Sequence, residues 1–89
     1  MLRFTQNEMR RLQVGEVFGP YIATRREVHA AQQNICNYKQ RYPGAEFRNW
    51  TESVYRDLPD GSQTVMRGYF EFYVERTAYG TDADTGEPE

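Results

Sequence analysis

Eighty-nine residues with a single cysteine make one domain with one modest core and exclude an intramolecular disulfide. Hydrophobic residues supply 38% and charged residues 27%, a polar balance offset by an aromatic share of 15%, which argues against disorder in the body of the chain. No apolar run reaches membrane-spanning length and Met1-Leu2-Arg3-Phe4 lacks the apolar stretch of a signal peptide, so a cytoplasmic, reduced setting without a membrane partner is expected.

The formal charge of −2 is unevenly spread. Residues 1–48 carry eight Lys/Arg against four Asp/Glu, residues 49–81 three against five, and residues 82–89 only Asp82, Asp84, Glu87 and Glu89. A basic first half favours an anionic partner, and an acidic tail would shield it or simply keep the chain soluble.

Residues 1–11 show no clear period and read as a short helix or an arm. Leu12 to Phe18 reads as a strand interrupted at Gly15, after which Gly19-Pro20 turns the chain and Tyr21-Ile22-Ala23 extends it again. Thr24-Arg25-Arg26-Glu27 is a capping box. The helix it opens, over residues 25–41, sets Val28, Ala31, Ile35, Tyr38 and Tyr42 in one apolar stripe, and Pro43-Gly44 stops it. Its opposite side is rich in amides, with Gln32, Gln33, Asn34, Asn37 and Gln40.

Glu46 to Asp57 is the next strand, and Pro59-Asp60-Gly61 reads as a type I turn with Gly where positive φ is needed. The run from Val65 to Thr77 alternates with period two. One face holds Met66, Gly68, Phe70, Phe72 and Val74, and the other Val65, Arg67, Tyr69, Glu71 and Tyr73. Pairing Leu58 with Ser62 sets Trp50 opposite Phe70 and Val54 opposite Met66 on the core face. On the other face it sets Thr51 opposite Tyr69, Phe47 opposite Tyr73 and Tyr55 opposite Val65. The fold expected is a two-layer α+β domain over residues 1–80, with one main helix on an antiparallel sheet of about three strands and a C-terminal β-hairpin. Residues 81–89 contain no apolar residue larger than Ala and are expected to be a disordered acidic tail.

Enzyme chemistry finds little support. His29, the only histidine, lies off the apolar stripe, and Cys36 reads as a small helix residue. Glu71 and Glu75 share a strand face, but such pairs are common on solvated strands. No catalytic, cofactor or metal site is assigned, and the chain is expected not to be an enzyme.

Two binding readings remain. Tyr55, Arg67, Tyr69, Tyr73 and Phe47 resemble a stacking platform for unpaired bases, while Arg25 and Arg26 on the helix would meet phosphates and its amides base edges. An acidic pI of about 5.4 and Glu71 and Glu75 on the same face oppose both nucleic-acid routes. Protein binding fits the same residues more easily, because Tyr, Trp and Arg dominate interface hot spots, and the chain has ten Arg against one Lys. The aromatics would alternatively be covered by Phe4, Leu12 or Phe18 from the N-terminal segment.

The run Leu-x-Val-Gly-Glu-x-Phe at Leu12 to Phe18, the helix, then Gly44-Ala45-Glu46-Phe47-Arg48 and a closing strand ending near Arg76 resemble small bacteriophage accessory proteins over residues 12–77. That resemblance implies stoichiometric action on a host factor in the host cytoplasm, as an inhibitor or modulator of an enzyme or defence system, and assigns no functional residue. The expected function is a non-catalytic binding protein that occupies a surface of a host protein. A small nucleic-acid-binding protein is the alternative.

Overall fold

The computed structural model describes residues 3–89. Its elements are α1 (Gln6–Arg11), β1 (Val17–Thr24), α2 (Arg25–Arg41), β2 (Glu46–Asp57) and β3 (Gln63–Ala78). The first segment is thus a short helix, held at its start by the Glu8 carboxylate accepting from the Thr5 N–H at 2.9 Å. The anticipated strand at Leu12 begins only at Val17. Leu12 is drawn into the core, and Gly15, at φ +93°, turns the chain so that its N–H donates to the Arg76 carbonyl.

Helix α2 occupies the span its capping box and Pro-Gly stop define. The Glu27 N–H donates to Thr24 Oγ1 at 3.3 Å, while the Thr24 N–H donates back to Glu27 Oε1 at 3.0 Å. All five stripe residues are buried, and they pack with Ala23, Phe72 and Val74 of the sheet. Burying such side chains contributes about 1.5–3 kcal/mol each for the larger ones.

The sheet order is β1-β3-β2, with both neighbours antiparallel to β3. Strands β1 and β2 therefore run parallel, joined through α2, with β3 inserted between them in a split β-α-β arrangement. The result is the two-layer α+β fold expected, an open three-stranded antiparallel sheet with one main helix and a short one. Gly19-Pro20 does not end β1 but forms a bulge within it. At φ +114°, a Cβ on Gly19 would lie 2.4 Å from the Phe72 carbonyl oxygen, so both backbone angle and close approach demand glycine there.

The hairpin keeps its expected register only near the turn, where Tyr55 pairs with Val65 and the Leu58 N–H donates to the Ser62 carbonyl at 2.8 Å. Between Ser53 and Tyr55 the ladder then shifts, with Gly68 at φ +84° on the opposing strand, and Ser53 pairs with Phe70. This irregularity exchanges the faces of β2. Trp50 pairs with Tyr73 on the face away from α2, not with Phe70 in the core, and Thr51 pairs with Phe72. Phe47, expected opposite Tyr73, pairs with Arg76 and packs inward against the Tyr38 ring at 5.7 Å.

Residues 81–89, expected to be disordered, fold back onto the body. Thr81 and Pro88 form a bridge, the Ala83 N–H donates to the Arg41 carbonyl at 2.9 Å, and the Thr81 N–H to that of Pro43 at 3.0 Å. The anchor is Arg76, 1% exposed, which continues the dry face of β3 past Val74. Its guanidinium donates to the carbonyls of Met9 at 3.0 Å and Leu12 at 3.2 Å, closing the C-terminal end of α1. The rings of Phe47 and Tyr79 flank it at 5.2 and 4.6 Å. The Glu89 carboxylate completes the shell, pairing with Arg76 and accepting from the Tyr38 hydroxyl and, at 2.8 Å, the Gly80 N–H. Composition reports apolar burial; this segment is ordered instead by hydrogen bonds and one interior ion pair.

The molecule measures 59 × 23 × 15 Å, with a radius of gyration of 15.8 Å. A compact chain of this length has about 12 Å. The excess comes from the two-stranded end of the β2–β3 hairpin, which runs on beyond the last β1 pairing, Thr24 with Tyr69.

Candidate interaction face

Helix α2 covers one face of the sheet and leaves the other open. The N-terminal residues that would have covered the aromatics lie on the helix side instead: Phe4 and Leu12 are buried in the core, and Phe18 packs against Phe4 at 4.5 Å. The open face is built where β2 and β3 pair. Trp50 stacks on Tyr73 with ring centroids 5.2 Å apart and planes 5° from parallel. The Arg48 guanidinium lies 4.8 Å over the Trp50 ring and bonds Glu75 through Nε at 3.3 Å. Toward β1 the face continues through Ile22, opposite Glu71, and Val17, opposite Glu75, with 53% and 49% of their surfaces exposed.

Charge on this face is mainly negative. Glu52 and Glu71 are direct cross-strand partners, and among the described residues neither has a cation within ion-pair distance. Such a like-charge pair is unfavourable, and the Tyr73 hydroxyl relieves it by donating to Glu71 at 2.8 Å. The hydrogen bond to Glu71, reinforced by partial burial and by the negative charge of Glu71 and then Glu52, pushes the Tyr73 phenol up to about 12.

The site residues chosen from sequence separate into two groups. Tyr73 and Tyr69 lie on the open face of β3 and Arg67 further along the hairpin, whereas Tyr55, 59% exposed and five residues from Trp50 on the same strand, projects from the opposite face. Arg25 and Arg26 stand at the start of α2, on the other layer, where Arg25 lies 6.0 Å from the ring of Phe70 beside a shallow cleft that His29 also lines. They do not extend the Tyr73 face. The helix amides are largely engaged: Gln32 donates to Asn49 at 3.1 Å, Asn34 to the Phe4 carbonyl at 3.0 Å, and Gln33 to Asn37 at 3.3 Å. Trp50 is the residue sequence reasoning missed. Its signal was Gly68, because a glycine inside a strand marks a bulge that resets the register.

Cys36 and His29 are both exposed on α2. Among the described residues, no group of three His, Cys, Asp or Glu side chains is placed to hold a metal ion, and no helix is long and apolar enough to cross a membrane. Comparison with protein-family models, curated proteins and solved structures finds no match for this chain.

Proposed function

We propose that this chain is a non-catalytic binding protein that occupies a surface of a partner protein with the open face of its sheet. The observation that carries the reading is the stacked Trp50–Tyr73 pair under Arg48, left uncovered on a rigid sheet and bordered by exposed Ile22 and Val17. Large aromatic and arginine side chains on a pre-formed platform are the composition of interface hot spots, and little ordering entropy remains to be lost on docking. Tyr69 and Arg67 extend the contact along the hairpin. The resemblance to bacteriophage accessory proteins makes a host protein, inhibited or modulated by stoichiometric binding, the partner class that fits.

Glu52, Glu71 and Glu75 weigh against the nucleic-acid alternative, since carboxylates beside the stack repel the phosphates that dominate such binding. The test is capture from host lysate, with and without nuclease, by the wild-type chain and by Trp50→Ala and Tyr69→Ala. Nuclease-resistant capture weakened by about 2 kcal/mol in either variant, each still folded, is the expected result. Tight binding to single-stranded DNA or RNA that falls steeply with salt and is lost in the same variants would overturn the reading.

A further inference from the structure

The free edge of β2 is the least protected part of this fold. Among the described residues, no backbone hydrogen bond outside the ladder with β3 involves residues 46–57, so one side of a twelve-residue strand has its amides and carbonyls unpaired. Sheet edges of this kind are normally blunted by proline, lysine, a bulge or an inward-pointing charge. The β1 edge has two of these, Pro20 and the bulge around it. Between Phe47 and Ser53, β2 has none: its inward positions are Phe47, Asn49, Thr51 and Ser53, and the irregularities lie outside the stretch, before Phe47 and beyond Ser53.

The outward positions of this stretch read Arg48, Trp50, Glu52. That order is self-complementary when reversed about Trp50. We propose that β2 pairs antiparallel with β2 of a second copy of this chain, on a two-fold axis at Trp50, to give a continuous six-stranded sheet. In this register Trp50 meets Trp50 of the other copy, and each Arg48 lies opposite the other copy's Glu52. On the inner face each Asn49 lies opposite the other's Thr51, a polar pair able to hydrogen-bond. Two-fold symmetry requires just such a patch, complementary to itself.

The pairing also settles an imbalance left in the single chain. Glu52 and Glu71 face each other without a cation, and the second copy's Arg48 arrives beside them. Arg48 is free to do so because it holds Glu75 through Nε alone and its side chain is 69% exposed. Neighbouring registers are worse. Centring on Thr51 puts Trp50 opposite Glu52, and centring on Glu52 puts Glu52 on Glu52 and Arg48 on Arg56. The irregularity beyond Ser53 ends the pairing before the hairpin tip. An edge contact of this length lies at the small end of specific interfaces, so the dimer is reversible at roughly micromolar to tens of micromolar concentration. It does not depend on the partner-protein reading; dimerisation would double the open face whatever that face meets.

Sedimentation velocity over a concentration series, on the full chain alone, is the test. Arg48→Glu and Glu52→Arg should each raise the dimer dissociation constant about tenfold or more, by setting like charges opposite each other twice across the axis. The double variant should recover most of the affinity, because the cross-copy pairs are restored with signs reversed. Trp50, the only tryptophan, should give an exciton couplet in circular dichroism that grows with concentration in step with dimer formation. If Arg48→Glu fails to fold, Glu52→Arg and the concentration-dependent couplet still decide. A wild-type chain monomeric at every soluble concentration overturns the proposal, as does a dimer indifferent to both charge reversals or without the couplet.

Discussion

Deleting residues 82–89 tests whether an ion pair holds the interior together. The deletion removes Glu89, among the described residues the only carboxylate on the Arg76 guanidinium, and leaves the carbonyls of Met9, Leu12 and Ala78 as its partners. Removing one member of a buried pair costs about 3–5 kcal/mol, because the other charge stays desolvated. Losing the covering segment also admits water to the guanidinium, which places the expected loss near the lower limit, about 3 kcal/mol. Against a total of about 5–15 kcal/mol for a domain, that is a large fraction. Glu89→Gln keeps the shape and loses the charge, and should cost about 1.5–3 kcal/mol. Urea denaturation followed by Trp50 fluorescence reads both. Repeating Glu89→Gln in an Arg76→Met background isolates the coupling, and there its cost should nearly vanish. A deleted chain that unfolds at the wild-type midpoint with the wild-type slope would refute the reasoning, and would return residues 82–89 to the role of a solvated appendage.

Gly19→Ala should destabilise by about 2 kcal/mol or more, since it forces a side chain into positive φ against the Phe72 carbonyl; an unaltered thermal midpoint would show that the bulge relaxes freely. Alkaline stability should depend on Tyr38, whose phenol is pushed from 10.0 up to about 12 by burial first, and then by its hydrogen bond to Glu89 and the charge of that residue. Below pH 10 the phenol is neutral in both folded and unfolded chains, and its contribution is fully present. Above that, the unfolded chain loses the proton first, so stability falls until about pH 12, where the folded phenol ionises as well. Denaturation midpoints across this window should decline less steeply in Tyr38→Phe, with Tyr73 supplying the remaining slope, and equal declines would exclude Tyr38 as a source.

Helix α2 was legible because three local signals agree: a reciprocal cap, an apolar stripe at helical spacing, and a Pro-Gly stop. The hairpin turn was legible for the same reason, and the pairs beside it follow from turn chemistry. Trp50 was misplaced because register propagates only until the first irregularity, and one bulge exchanges every side chain beyond it between faces. The sequence marked that point with Gly68. Arg76 was also marked, as a charge at the even position that follows Phe70, Phe72 and Val74. An arginine in a core register requires an acceptor, and four carboxylates lay in the following segment. No local pattern says which of them returns, because Glu89 reaches Arg76 only after a turn built from backbone hydrogen bonds.

Inserting β3 between β1 and β2 also has a kinetic consequence. The β2–β3 hairpin joins neighbours in sequence and belongs to the class of events completed in about 1–10 μs. Strand β1 cannot pair when it is made, because its only neighbour in the sheet is the strand furthest from it in the chain: Val17 waits for Glu75, and Thr24 for Tyr69. Closing that loop is costly in entropy and is rewarded only when α2 lays its stripe across both strands, so sheet completion and helix docking become one event. The slow step of folding is then the capture of β1. Because the hairpin forms before that step, substitutions at its tip should change the folding rate, while those whose contacts form only after β1 is captured should change the unfolding rate.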